Sequence, residues 1–230
     1  MRQNNPTADL PSNADPITPA QEPAPAGDGR KNNAAATQTA LRAVGRRLFG
    51  QLGYEATSLG AICAEAGVTT GALYHHYGDK KGLFAAVAEE LDASLVALTA
   101  KARTQALAAG ADPWQAFLAA MDVFLQAGLN PEGRRIGLTD APAVLGTQAW
   151  LEIRERHGLG AMAQTVRSLQ SLGYLPAGNV RLQAKLILGL LYGAVEALAH
   201  QTDADAAMAL ADTRPLVHAM LAGLRGIAVA

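Results

Sequence analysis

The sequence predicts an all-α fold, and three observations carry the prediction. From Thr37 onward apolar residues recur at helical spacing, and no run of alternating β-branched residues appears. Ser, Thr, Asp and Gly also stand where helices would begin and end. Of the 230 residues, 50% are hydrophobic and 17% charged, enough to bury a sizeable core.

Residues 1–34 stand apart. Six of the chain's 11 prolines fall before position 26, among Ala, Asn, Asp and Gln with almost nothing large and apolar. Such a segment cannot bury enough surface to offset its ordering entropy, so it is predicted to be a disordered tail.

The first helix follows. Leu41, Val44, Leu48, Phe49 and Leu52 form one apolar stripe, the opposite face carries Arg42, Arg46 and Arg47, and Gly53 ends it. Thr57 and Ser58 open a short helix through Ala66, Gly67 forces a turn, and Thr69 caps a second short helix to about His76. Asp79 caps the next helix, in which Leu83, Phe84, Val87, Leu91, Leu95 and Leu98 keep helical spacing beyond Lys101. Its length marks it as a connector between two regions.

Further helices are predicted from Pro113 to about Leu129, from Pro131 onward, and from Thr147 to about Leu172, with Gly158 and Gly160 breaking or bending the last. Two more close the chain, Val180 to His200 and about Ala204 to Ile227. Pro215 is expected to kink or split the second.

A formal net charge of -1 excludes a chain that grips nucleic acid by being basic throughout. The charge is unevenly spread, however. Residues 30–82 hold seven basic side chains against three acidic ones, and this excess coincides with the helix, glycine turn and helix of Ser58 to Tyr77. That unit has the length of a helix-turn-helix module. Ile62, Ala66, Val68 and Leu73 supply its apolar faces, and Cys63, four before the turn glycine, is small enough for a close crossing. Left exposed on the second helix are Thr69, Thr70, Gly71, Tyr74 and His75, groups suited to phosphates and base edges in a major groove.

The ordered series Phe49, Gly53-Tyr54, Thr57-Ser58-Leu59, Ile62, Ala66-Gly67-Val68-Thr69, Gly71, Leu73-Tyr74-His75-His76-Tyr77 and Lys80 resembles the DNA-binding domain of TetR-family transcriptional regulators. The resemblance covers about residues 37–84. It implies that Thr57 and Ser58 hold phosphates, Thr70 and Gly71 face bases, Tyr74 and His75 contact the backbone, and Lys80 reaches a phosphate. The domains it implies are a tail over 1–34, a helix-turn-helix DNA-binding domain over 35–82, and a helical effector-binding and dimerisation domain over 83–230.

Within that second domain, Asp140 to Gly146 with Trp150, and Leu190 to Ala197, resemble one C-terminal subtype of the same family. The helix from Val180 to His200 is almost all apolar and small. With Leu216, Met220, Leu221 and Leu224 of the last helix, its Leu182, Leu186, Leu190, Gly193, Ala194 and Ala197 are expected to form a twofold four-helix interface. A homodimer spacing two reading helices implies double-stranded DNA with a palindromic operator as partner. For an unknown small-molecule effector the expected pocket residues are Trp114, Phe117, Met121, Phe124, Trp150, Tyr192 and Glu196. Glu196 stands out because a charge in an apolar run needs a partner, a proton or a ligand.

The function expected is therefore that of a repressor released from its operator by the effector. The alternative is a helical interaction protein of the same fold that no longer binds DNA. No phosphate-binding glycine loop, Gly-x-Ser-x-Gly elbow or His-Glu-x-x-His motif is present, so neither an enzyme, a cofactor nor a metal site is expected. One cysteine fits a reducing, cytoplasmic setting, and the longest apolar stretch, Leu186 to Ala199, is too short to span a bilayer.

Overall fold

The computed structural model describes residues 27–199 and 203–226, together with Met1. The described residues form helices and connecting turns, with no strand among them. In order these are α1 (Gly27–Leu52), α2 (Leu59–Ala66), α3 (Thr70–Tyr77), α4 (Lys80–Ala108), α5 (Pro113–Ala127) and α6 (Pro131–Arg134). A π-helical segment, Arg135–Asp140, leads into α7 (Ala141–Leu145), then α8 (Thr147–Arg154). A second π segment, Glu155–Leu159, leads into α9 (Gly160–Ser171), followed by α10 (Val180–Ala199) and α11 (Asp203–Gly223). No described helix is long and apolar enough to cross a membrane.

The helix starts expected from the sequence are built as local capping predicts. Ser58 accepts from Ala61 N at 3.1 Å, Thr69 from Ala72 N at 3.2 Å and Asp79 from Gly82 N at 2.7 Å. Asp112 and Gln115 cap α5 reciprocally. At the end of α2, Gly67 takes φ +67°, and the N–H groups of Gly67 and Val68 satisfy the carbonyls of Ala64 and Cys63.

One expectation is corrected and two are narrowed. The tail assigned to 1–34 lies mostly outside the described residues, but its last part, from Gly27, is already helical as the start of α1. The good helix formers from Ala34 onward let that helix extend backwards, because propagation is easier than nucleation. The break or bend expected at Gly158 and Gly160 takes the form of a π turn between α8 and α9. Pro215 does not split α11: the helix runs through it with the proline exposed, where water can satisfy the carbonyl that the ring leaves unpaired. The expected ends His200 and Ile227 lie outside the described residues.

Two apolar clusters hold the molecule together. One joins α1 through the first half of α4, centred on Leu41, Phe49, Ile62, Leu73, Leu83 and Phe84. It also takes in Ile136, Ala141, Leu145, Trp150 and Ile153, so this core does not end at residue 82. The other joins α5, α9, α10 and α11. With 29 residues and a length of about 44 Å, α4 runs from the first cluster alongside α5.

Candidate nucleic-acid interface and effector cavity

The helix-turn-helix is rigidly seated. Leu73 of α3 is fully buried, Ile62 and Cys63 of α2 lie beneath it, and Phe49, Tyr54 and Phe84 stack edge-on and face-on around the end of α1. At the α3–α4 junction a Cβ on Gly82 would lie 2.0 Å from the carbonyl oxygen of Tyr77, so only glycine permits that approach. Tyr77 in turn donates its hydroxyl to Gln38 O of α1 at 3.2 Å, fixing the far end of α3.

Most of the residues expected to touch DNA are exposed. Thr69, Thr70, Gly71 and His75 face solvent at the start and outer side of α3, and Tyr74 beside them is 52% exposed. Ser58 and Thr69 use their oxygens to cap helices, which leaves each hydroxyl hydrogen free to donate. His76 is half-buried against Gln38.

Thr57 is a correction. It is only 2% exposed, and its hydroxyl is held by the carbonyls of Gly53 at 2.7 Å and Leu48 at 3.2 Å. The side chain ties the turn after α1 to that helix's end and does not present itself to a phosphate. Lys80 has a dual place: its ammonium donates to Glu55 O at 3.3 Å and sits 4.3 Å from the Tyr54 ring centre, with remaining donors open.

The C-terminal end of α1 is clasped from an unexpected direction. Asp140 accepts from Tyr54 N at 2.9 Å, Glu132 pairs with Gln51 at 3.1 Å, and Arg135 donates to the carbonyls of Gly50 and Gln51. These partners are more than 80 residues away along the chain, so no local pattern announces them.

Two neighbouring cavities open on α4. The first, about 310 Å³, lies among α4, α5, α6, α8 and α10 and is walled by Leu91, Leu95, Leu138, Trp150 and Val195. The second, about 450 Å³, lies between α4, α5 and α9 and includes Phe117 and Met121. Asp92, Leu95, Phe124 and Tyr192 face both. Of the expected pocket residues, Phe117, Met121, Phe124, Trp150 and Tyr192 are thus brought to cavity walls.

Trp114 and Glu196 are not. Trp114 packs on Phe117 at 5.3 Å under the Arg225 guanidinium, a core position at the end of the bundle. Glu196 is exposed, because the helical period places it on the outer face of α10 with Leu182, Leu186 and Gly193. Leu221, expected at the twofold face, is likewise buried within the protomer, and Leu190, Ala194 and Leu224 are half-buried.

Asp92, which sequence reasoning missed, is 7% exposed and accepts from Gly158 N in the second π segment at 3.0 Å. Burial pushes its carboxyl above the usual range, against that hydrogen bond and the nearby Arg154 and His157. Arg154 itself lies 3.7 Å over the Tyr192 ring, and burial pushes the Tyr192 phenol up to about 12. Close by, hydrogen bonding from His157 and Arg156 holds the Glu89 carboxyl below its usual value.

An acid whose pKa is raised by folding contributes stability below its unfolded pKa and loses it as pH rises through the folded value. Asn at position 92 keeps an oxygen for Gly158 N. Asp92→Asn is therefore expected to melt a few degrees above wild type at neutral pH, with the gap closing as the solution is acidified. A variant that melts below wild type at neutral pH would show that Arg154 and His157 outweigh burial.

Comparison with known proteins bears on both halves. Residues 41–87 match the family model for bacterial regulatory proteins of the tetR family, and residues 114–224 match that for the tetracyclin repressor-like C-terminal domain. The HTH-type transcriptional regulator AcrR of Shigella flexneri is 46% identical over 59 residues, 26% of this chain and 27% of the relative. The HTH-type transcriptional repressor AcnR of Corynebacterium efficiens is 43% identical over 54 residues, 24% and 28% respectively. The match spans about a quarter of the length of these curated relatives.

Among solved structures, the fatty acid degradation regulator FadR of Bacillus halodurans shares the fold at 16% identity, with a TM-score of 0.66 over 83% of this chain and 99% of that one. A TetR-family transcriptional regulator from Pectobacterium atrosepticum is 33% identical, with a TM-score of 0.67 over 84% of this chain and 96% of its own. With one solved relative matched along nearly its whole length and a family model matching each half, the chain belongs to the TetR family of transcriptional regulators.

Proposed function

We propose that the chain is a dimeric repressor that reads a palindromic operator with α3 and is released when a small effector enters the cavities beside α4. The observation that carries this is the exposed start of α3, with Thr69, Thr70, Gly71, Tyr74 and His75 turned outward on a helix whose inner face is fully seated. Short donors at a helix N-terminus are the groups that phosphates and base edges accept. The effector half of the reading is supported by α4: its first turns lie in the DNA-reading core, and Asp92, Leu95 and Leu98 line a cavity. Displacing α4 at the cavity alters the spacing of two α3 helices across a dimer.

A gel shift on DNA flanking the protein's own gene, at two salt concentrations, tests the reading. Binding is expected to weaken steeply with salt. Lys80→Ala is expected to weaken all sequences alike and to reduce the salt slope by about one. Thr70→Ala is expected to alter preference at one base position, at a cost of about 1–3 kcal/mol. Because Lys80 also braces Tyr54, its melting curve is compared with that of Lys80→Arg, which is expected to restore binding. Absence of DNA binding at low salt would leave the interaction-protein reading in its place.

A further inference from the structure

We propose that the cavity of about 310 Å³ takes an effector with a compact apolar body and a carboxylate, and that Arg46 and Arg134 hold the carboxylate. This rests on the reading of the chain as an effector-released regulator and specifies the effector's chemistry and its point of action.

The charges of α1 are the starting point. Arg42 and Arg47 are each paired with a carboxylate, Glu90 and Glu65. Arg46, between them, has no ion pair or hydrogen bond among the described residues, and it lines the cavity. Arg134 of α6 lines it too, and its guanidinium makes only long bonds to the carbonyls of Gly128 and Leu129, at 3.3 and 3.4 Å. Both side chains are half-buried, while the wall between them and Tyr192 is largely aliphatic and aromatic. Two guanidiniums without a carboxylate partner beside an apolar wall call for an anion on a hydrocarbon body, since a planar fork pairs best with a carboxylate. The volume lies at the small end of ligand pockets, roughly 300–1,000 Å³.

The cavity's one acidic side chain among the described residues does not oppose this. Asp92 accepts from Gly158 N at 3.0 Å, and burial pushes its carboxyl up, toward the neutral form. The effector's body would therefore lie toward Phe124, Trp150 and Tyr192, with its charge at the α1–α6 end.

That end is where control would act. Arg46 is on α1 of the DNA-reading unit and Arg134 is on α6, whose neighbours Glu132 and Arg135 clasp the last residues of α1. A carboxylate bridging the two arginines changes how α1 sits on α6, so the ligand touches the DNA-reading unit directly as well as through α4.

The test uses the full-length protein, isothermal titration and melting curves with octanoate, octanamide and octylamine, and with phenylpropionate, phenylpropionamide and phenylpropylamine. At least one acid is expected to bind about tenfold or more tighter than its amide and amine. Arg134→Gln is expected to lose that preference, Arg134→Lys to retain part of it, and Arg167→Gln, exposed on α9 and in the wall of neither cavity, to leave it intact. The proposal is overturned if no acid binds, if amide and acid bind equally, or if an amine binds best and Asp92→Asn abolishes it. Gel shifts on the same preparations separate the two failures. DNA binding without acid binding overturns only the effector assignment, and acid binding without DNA binding overturns only the regulator reading.

Discussion

Phe84→Ala is expected to abolish DNA binding by loosening the reading unit, although Phe84 itself touches no surface. Its ring is fully buried in the first turns of α4 and meets the Phe49 and Tyr54 rings edge-on, each with centres 5.1 Å away. Tyr54 also carries the Lys80 ammonium and the Asp140 bond. Removing the Phe84 ring therefore takes support from α1, α4 and the turn before α2 together. Truncating a buried Phe costs about 3–5 kcal/mol, a large part of a total stability of about 5–15 kcal/mol. The urea midpoint should fall sharply and the gel shift should vanish. Phe84→Leu, which refills most of the space, should recover much of both. If Phe84→Ala kept its midpoint and bound DNA normally, the three-ring cluster would not be what seats α3.

The contrast between residues that the sequence discloses and those it hides follows from the range of the forces on them. Ser58, Thr69, Asp79 and Gly67 announce themselves because a cap or a left-handed turn is settled within three or four residues. Tyr74 and His75 of α3 were legible for the same reason, since the period turns them about 100° and 200° away from the buried Leu73. Asp92 was not, because nothing near it separates it from Glu89 and Glu90 on the same helix. Its partner is Gly158, 66 positions later, which comes within hydrogen-bonding distance only in the folded chain. The clasp of Arg135 and Asp140 on the end of α1 has the same long range. Glu196 misled in the opposite sense: apolar neighbours in sequence suggested burial, but they are apolar on a face that the single protomer leaves open.

That open face gives the second large effect. Leu182 and Leu186 on α10 and Met208, Leu216 and Met220 on α11 are between 56% and 65% exposed, although the two helices pack on each other. A twofold axis through such a patch lets one surface bury itself against its own copy. Leu186→Asp then places two carboxylates near each other in an apolar seam while disturbing nothing inside the protomer. The variant is expected to sediment as a monomer with an unchanged helical spectrum, where the wild type sediments as a dimer. Tethering two half-site contacts raises affinity by about 10²–10⁴ without any new contact, so a comparable factor should be lost on a full palindrome and little on an isolated half-site. A Leu186→Asp protein that stayed dimeric would move the twofold axis away from α10 and α11. A monomer with full palindrome affinity would instead sever dimerisation from operator reading, and with it the route by which a shift in α4 could release the DNA.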